Sequence, residues 1–167
     1  NIRYPIVEDD IRAQIGGSRV GERGMLELVG RYGLETFLTL KDYLFDSTEK
    51  VIGGEIEAIP DGVYNSESTV FFDGVTDGSE MTIRLSVTVN GGRVRFDFTG
   101  SSPQTPGFVN APYGATASAV ILTFLMLVNP DIPHNAGILR RIEIVNPEGS
   151  FLNASYPAAT TFGNSIT

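Results

Sequence analysis

From Met81 to Val89 the chain reads Met-Thr-Ile-Arg-Leu-Ser-Val-Thr-Val, apolar at every second position, and runs directly into Asn90 and Gly91. Strand side chains alternate between the two faces of a sheet. This period of two therefore puts Met81, Ile83, Leu85, Val87 and Val89 on one side and Thr82, Arg84, Ser86 and Thr88 on the other. Asn-Gly is the strongest short hairpin signal, because a type I′ turn needs positive φ at both central residues. With Asn90 and Gly91 as the loop, Leu85 faces Phe96, Val87 faces Val94 and Ile83 faces Phe98 on the core side, and Arg84 lands opposite Asp97 on the other. A slip of one residue would expose every apolar side chain. Tyr64 to Phe72 supplies a further strand.

Upstream the period changes. From Glu8 to about Tyr32, apolar residues at Ile11, Ile15, Met25, Leu28, Val29 and Tyr32 keep a helical spacing. Gly16, Gly17, Ser18, Gly21 and Gly24 lie within it. Glycine costs about 1 kcal/mol in a helix relative to Ala, so this stretch calls for close packing or a kink. Gly33 closes the helix, and a second begins near Leu34 with Phe37, Leu40, Leu44, Val51 and Ile52 on one side. The two read as an antiparallel helix pair. The second ends by Ile59, because Pro60, Asp61 and Gly62 form a turn.

Downstream, a loop rich in Gly, Ser, Pro, Gln and Asn runs from Thr99 to Pro112. An apolar stretch from about Tyr113 to Val128 follows and reads as a buried helix. Asn129 to Gly137 is a turn segment with two prolines, and Ile142, Ile144 and Val145 suggest a short strand. The fold class is α+β: an N-terminal helix pair, an antiparallel sheet carrying the hairpin, then the buried helix. Residues 1–167 read as a single segment.

Several function classes are excluded by composition. Net charge is −8, and the 12 basic residues are scattered, so a groove for a phosphate backbone is not expected and nucleic acid is a poor partner. The absence of cysteine removes disulfides, thiolate nucleophiles and CxxC zinc sites. His134 is the only histidine, which leaves no His-rich metal centre, and it reads as surface structure in a Pro-flanked turn. The apolar run Ala115–Val128 falls short of the roughly 20 residues of a membrane span. No signal peptide opens the chain, and both ends read as cut. Nucleotide loops, GxSxG and HExxH are missing from the sequence.

The loop after the hairpin is the most informative stretch: Asp97, Phe98, Thr99, Gly100, Ser101, Ser102, Pro103 and Gln104, then Gly107, Phe108, Val109 and Asn110. A strand delivers this polar set to the start of a helix, whose free N–H groups and dipole favour a carboxylate or phosphate. Ser, Gln and Asn also satisfy loop backbone groups without any ligand, and both readings stand.

The string DFTGSSPQTPGFVN from Asp97 to Asn110 resembles the D-F-[TS]-G-[ST]-x-x-Q-x-x-G-x-[hydrophobic]-N hallmark of the hydantoinase B / 5-oxoprolinase family. Asp10, Arg12, Ala13 and Gln14, with Gly21 beyond, resemble its D-x-R-A-Q segment, and Ile59 to Tyr64 its I-P-D-G-x-Y turn. Asp131, Ile132, Pro133, Asn135 and Gly137 are similar to D-I-P-x-N-x-G. Pro147, Glu148, Gly149, Ser150, Leu152 and Asn153, followed by Pro157 and Ala158, are similar to P-E-G-S-x-L-N and P-A; Gly163 and Asn164 resemble a further G-N.

The resemblance implies that this is the middle part of a longer, cytoplasmic chain, inactive as a fragment. It implies an ATP-dependent amidohydrolase for cyclic amides such as hydantoin, 5-oxoproline or a similar lactam. A hydantoinase A-like subunit or domain would bind ATP and Mg and phosphorylate the substrate, and the B-type part would complete hydrolysis. Related ketone carboxylases of the acetone and acetophenone type, and caprolactamases, share these motifs, and a noncatalytic assembly module is the remaining alternative. The resemblance further implies an oligomer, with any divalent metal supplied from outside this chain. Catalytic residues are unassigned. Asp97, Thr99, Ser101, Gln104 and Asn110 are expected beside the substrate, with Asn135 and Asn153 as second choices. Asp97 is equally explained by an ion pair with Arg84, and Arg12 and Gln14 by structural pairing.

Overall fold

A computed structural model describes residues 6–161 and 163. The elements in chain order are α1 (Ile6–Tyr32), α2 (Leu34–Glu57), β1 (Gly62–Phe71), β2 (Glu80–Asn90), β3 (Arg93–Asp97), α3 (Tyr113–Val128), a 3-10 turn (Ile138–Arg140) and β4 (Ile142–Val145). The chain forms two compact units, Asn1–Leu44 and Phe45–Thr167, and α2 runs through the boundary.

In the first unit the helix pair is present. Gly33, at φ +81°, closes α1 by donating its N–H to the Val29 carbonyl at 2.8 Å. The apolar stripe of α1 is uncovered: Ile11, Ile15, Met25, Leu28 and Tyr32 are all exposed. The close packing expected around Gly16, Gly17, Gly21 and Gly24 is not found, since open space surrounds the position of a Cβ at each. Arg12 pairs with Glu8 one turn away, and Gln14 accepts the Ser18 hydroxyl at its carbonyl.

The second unit holds the core. Its part of α2 buries Thr48, Ile52, Gly53 and Ile56; of the expected face Ile52 is buried, while Val51 stays exposed, as does Leu44 in the first unit. Residues four apart lie one above another on a helix, and the face set by Ile52 and Ile56 is the one that joins the sheet's apolar side.

The sheet order is β1-β2-β3-β4. The first three strands are antiparallel, and β4 adds in parallel to β3, making the sheet mixed. Parallel neighbours need a long crossover, and the chain from Phe98 through α3 to Arg141 provides it. The hairpin sits where expected, but its register is displaced by two. Asn90 pairs with Arg93, Val89 with Val94, Val87 with Phe96, and Asp97 with Ser86. The turn residues are Gly91 and Gly92, at φ +54° and +73°. Two glycines meet the demand for positive φ at both positions more easily than Asn and Gly, and a shift of two leaves every side chain on its original face. Arg84 therefore pairs with Glu67 on β1, at 2.9 Å, instead of Asp97. Asp61 accepts the Gly91 N–H at 3.1 Å and ties the start of β1 to the hairpin tip.

Met81, Val89, Val94 and Phe96 from the sheet meet Phe124 and Leu125 of α3, with Phe151 and Leu152 completing the cluster. The Phe96 and Phe124 rings pack edge to face at 5.5 Å. Only Thr116, Phe124 and Leu125 of α3 are fully buried; the helix expected to be buried has one covered and one open side.

Candidate functional site

Where β3 stops, the backbone turns sharply and the Asp97 carboxylate accepts the Thr99 N–H at 2.9 Å, a local turn that short polar side chains favour. Arg95, two residues back on the same face, reaches the other oxygen at 3.0 Å. The Thr99 hydroxyl and N–H, with the Arg95 charge beside them, hold the Asp97 carboxyl below its ordinary range.

The next residues are stitched to β2. The Ser101 hydroxyl donates to the Arg84 carbonyl at 3.2 Å and accepts the Arg84 N–H at 3.0 Å, and Ser102 exchanges bonds with the Thr82 backbone. Gln104 then crosses to the segment after β4: its Oε1 accepts the Ser155 N–H at 2.8 Å and its own N–H donates to the Gly149 carbonyl at 2.8 Å. Asn153 holds the far side of that contact. Its Nδ2 donates to the Asn146 carbonyl at 2.8 Å, and its carbonyl accepts the Gly149 N–H.

Asn110 is fully buried at the centre of the loop. Its Oδ1 accepts the Thr105 N–H at 2.8 Å, and its Nδ2 hydrogens are shared among the carbonyls of Thr105, Gly107 and Ala159 at 2.8 to 3.0 Å. An amide with one acceptor and two donors is spent by these contacts. Gly163 closes on the same point, where a Cβ would fall 2.2 Å from the Asn110 carbonyl oxygen. Asn164, quoted with it from the sequence, lies outside the described residues. Asn135 stands apart: its bonds go to Thr48 of α2 and to the Gly137 N–H, both at 2.8 Å, and not to the loop.

One residue of this network escapes sequence reasoning. Asp73, 1% exposed, sits in the turn between β1 and β2. One carboxylate oxygen accepts the N–H groups of Val75 at 2.8 Å and Thr76 at 2.6 Å, and the other accepts the Thr105 hydroxyl. The Thr105 hydroxyl first, then the Thr76 and Val75 N–H groups, outweigh burial and hold its carboxyl well below the ordinary 3.8. Its carbonyl accepts the Phe108 N–H at 3.1 Å, and Gly107 approaches so closely that a Cβ there would fall 1.9 Å from that oxygen. Asp73-Gly74 reads in sequence as an ordinary turn, and its partner lies 32 residues downstream.

An open cleft of about 400 Å³ lies on the strand side of the loop, lined by the polar residues Asn65, Ser66, Glu67, Arg84, Ser86 and Thr99 together with Leu85. Of the seven sequence candidates, Thr99 alone lines it; Asp97 orients Thr99, while Ser101, Gln104, Asn110 and Asn153 hold the loop's shape. The cleft offers hydroxyl, amide and guanidinium donors to a small polar ligand. At the start of α3, Pro112 caps without a side-chain bond, and Asn110 turns its amide away into the loop. Among the described residues no three His, Cys, Asp or Glu side chains converge. His134 is exposed in the turn after α3, and no helix among the described residues is long and apolar enough to cross a membrane.

The family model described as Hydantoinase B/oxoprolinase matches residues 1–167. A putative D-/L-hydantoinase of Pseudomonas sp. (strain NS671) has a B-type subunit that is 35% identical over 173 residues, which cover 96% of this chain and 29% of that protein. The 5-oxoprolinase 1 of Arabidopsis thaliana is 35% identical over 167 residues, 95% of this chain and 13% of that protein. Among solved structures, the ATP-dependent caprolactamase from Pseudomonas jessenii superposes with a TM-score of 0.80 at 28% identity, covering 96% of this chain and 28% of that one. The chain thus spans less than a third of the length of each of these three proteins.

Proposed function

The chain belongs to the hydantoinase B/oxoprolinase family, and from that membership we propose that it is one part of an ATP-dependent hydrolase that opens cyclic amides such as hydantoins, 5-oxoproline or lactams. The observation that carries this reading is the likeness, over nearly the whole chain, to a hydantoinase subunit, a 5-oxoprolinase and an ATP-dependent caprolactamase. An A-type subunit or domain supplies the nucleotide chemistry with ATP and Mg. A ring amide oxygen is a poor leaving group, and its phosphorylation creates a good one while adding charge that fixed donors can stabilise.

This chain's share is recognition. Thr99, oriented by Asp97, lines the open cleft together with Arg84 and Ser86. Ser101, Gln104, Asn110 and Asn153 act on the substrate through the loop shape they fix, and Asn135 anchors a separate turn to α2. Pre-set polar groups cost no reorganisation when charge develops. Metal chemistry, where used, draws on residues outside this chain, in the cytoplasmic multisubunit enzyme the reading describes.

The test is product formation by the full-length protein with its A-type partner. Incubation with 5-oxoproline, a hydantoin or caprolactam should release the ring-opened acid only when ATP is present. Incorporation of labelled bicarbonate into a ketone, with no ring opening, would overturn the reading in favour of a carboxylase.

A further inference from the structure

Helix α3 contains no charged residue along its 16 positions. A helix that is apolar all round belongs in the interior of a large protein or in a membrane, and 16 residues are too few for a span of about 20. Yet in the second unit only one side of α3 is covered. Leu122 is 52% exposed, Met126 68% and Leu127 79%. Beside this open side, between α3 and the sheet, lies an apolar cavity of about 380 Å³ lined by Ile83, Leu85, Val87, Phe98, Ala119 and Leu127 among others. Two threonines also border it: the hydroxyl of Thr116 is already committed to the Leu152 carbonyl at 2.6 Å, which leaves Thr123 as the one side chain there with a hydroxyl to offer. A ligand that needs hydrogen bonds, such as a cyclic amide or a nucleotide, has little to hold there.

We propose that the open side of α3 and the adjoining cavity are the seat of another segment of the same polypeptide, beyond residues 1–167, which inserts large aliphatic or aromatic side chains against Leu127 and the Ile83–Leu85–Val87 face. The length of the relatives favours this occupant: the matched hydantoinase subunit and the solved caprolactamase chain each carry more than two thirds of their residues outside the matched region. The volume suits it as well, being enough for about two large apolar side chains.

The chain carries its own probes. It has three methionines: Met81 is 3% exposed, Met25 50% and Met126 68%. Peroxide oxidises accessible thioethers to sulfoxides and spares buried ones. In the full-length protein, read peptide by peptide by mass spectrometry, Met126 should oxidise at a rate within about threefold of Met81, both rising together once the protein is unfolded. A Met126 rate about tenfold or more above Met81 in the folded protein would overturn the proposal. The measurement is repeated over a range of protein concentrations, with and without the A-type partner, and with caprolactam. Protection that is constant throughout supports the same-chain segment; protection that grows with concentration, or needs the partner or the lactam, assigns the seat to a second copy, another subunit or a ligand and overturns it.

Discussion

Asp73 and Asn110 are the two buried polar residues on which the candidate site's shape rests, one clamping the turn between β1 and β2, the other the loop after β3. Thr105 joins them, through its hydroxyl to Asp73 and its N–H to Asn110. Because the folded-state pKa of Asp73 lies below its unfolded value, the stabilisation it brings is fully present above about pH 4 and is lost as pH falls toward the folded value. Replacing Asp73 by Asn removes a group that titrates between the two states. The variant should be less stable at neutral pH, and the loss of stability on acidification below pH 4 should be shallower than in the parent, as followed by circular dichroism during urea unfolding at a series of pH values. Parallel acid limbs would show that Asp73 is not the titrating clamp. Asn110 was legible in the sequence because it ends a recognisable string; Asp73 was not, because a carboxylate in a turn looks alike whether it faces water or a threonine far along the chain.

At the scale of elements, the β-hairpin shows both the power and the limit of periodicity. Alternation over Met81–Val89 fixes which side chains face the core, and the strand lies there. It cannot separate registers that differ by two, because these share the same faces. The choice was made by Gly91-Gly92 over Asn90-Gly91, and it carried Arg84 away from Asp97 to Glu67. Gly92 is buried against Glu57, 3.0 Å from the site of a Cβ, whereas open space surrounds Gly91. A non-glycine residue at left-handed φ costs about 1 to 2 kcal/mol, with Asn tolerated better than most. Gly92→Ala should therefore lower the unfolding free energy read from urea titration by about 1 to 2 kcal/mol, and Gly91→Asn should change it by less than about 0.5 kcal/mol. A neutral Gly92→Ala would return the turn to Asn90-Gly91. The helices tell a related story: 3.6-residue spacing located α1, α2 and α3 well, but which face is covered depends on what packs against it, and for α1 and much of α3 no cover exists among the described residues.

For the whole molecule, five ordered motifs carried the family, and the match over 1–167 agrees with them. Fold class followed from pattern alone, except that β4 joins in parallel, a consequence of the crossover through α3 that no local signal announces. What the sequence left open was whether the Asp97–Asn110 string touches substrate or only satisfies its own backbone. The geometry puts Thr99 at the cleft and makes Ser101, Gln104 and Asn110 the frame behind it; a substrate contact at Thr99 belongs to the function proposed above. Loss of the Asn110 amide strands buried loop groups at about 1 to 3 kcal/mol, whereas Gln104 gives up one side-chain bond of about 1 kcal/mol. The decisive measurement is ATP-dependent ring opening by the full-length protein with its A-type partner, for Gln104→Ala and Asn110→Ala, alongside the melting temperature and assembly of each. A fall in turnover of about tenfold or more in both variants, with assembly retained and the larger melting-temperature drop in Asn110→Ala, is the expected result. Turnover equal to that of the parent in both variants, with assembly intact, would contradict the assignment of this loop to the site.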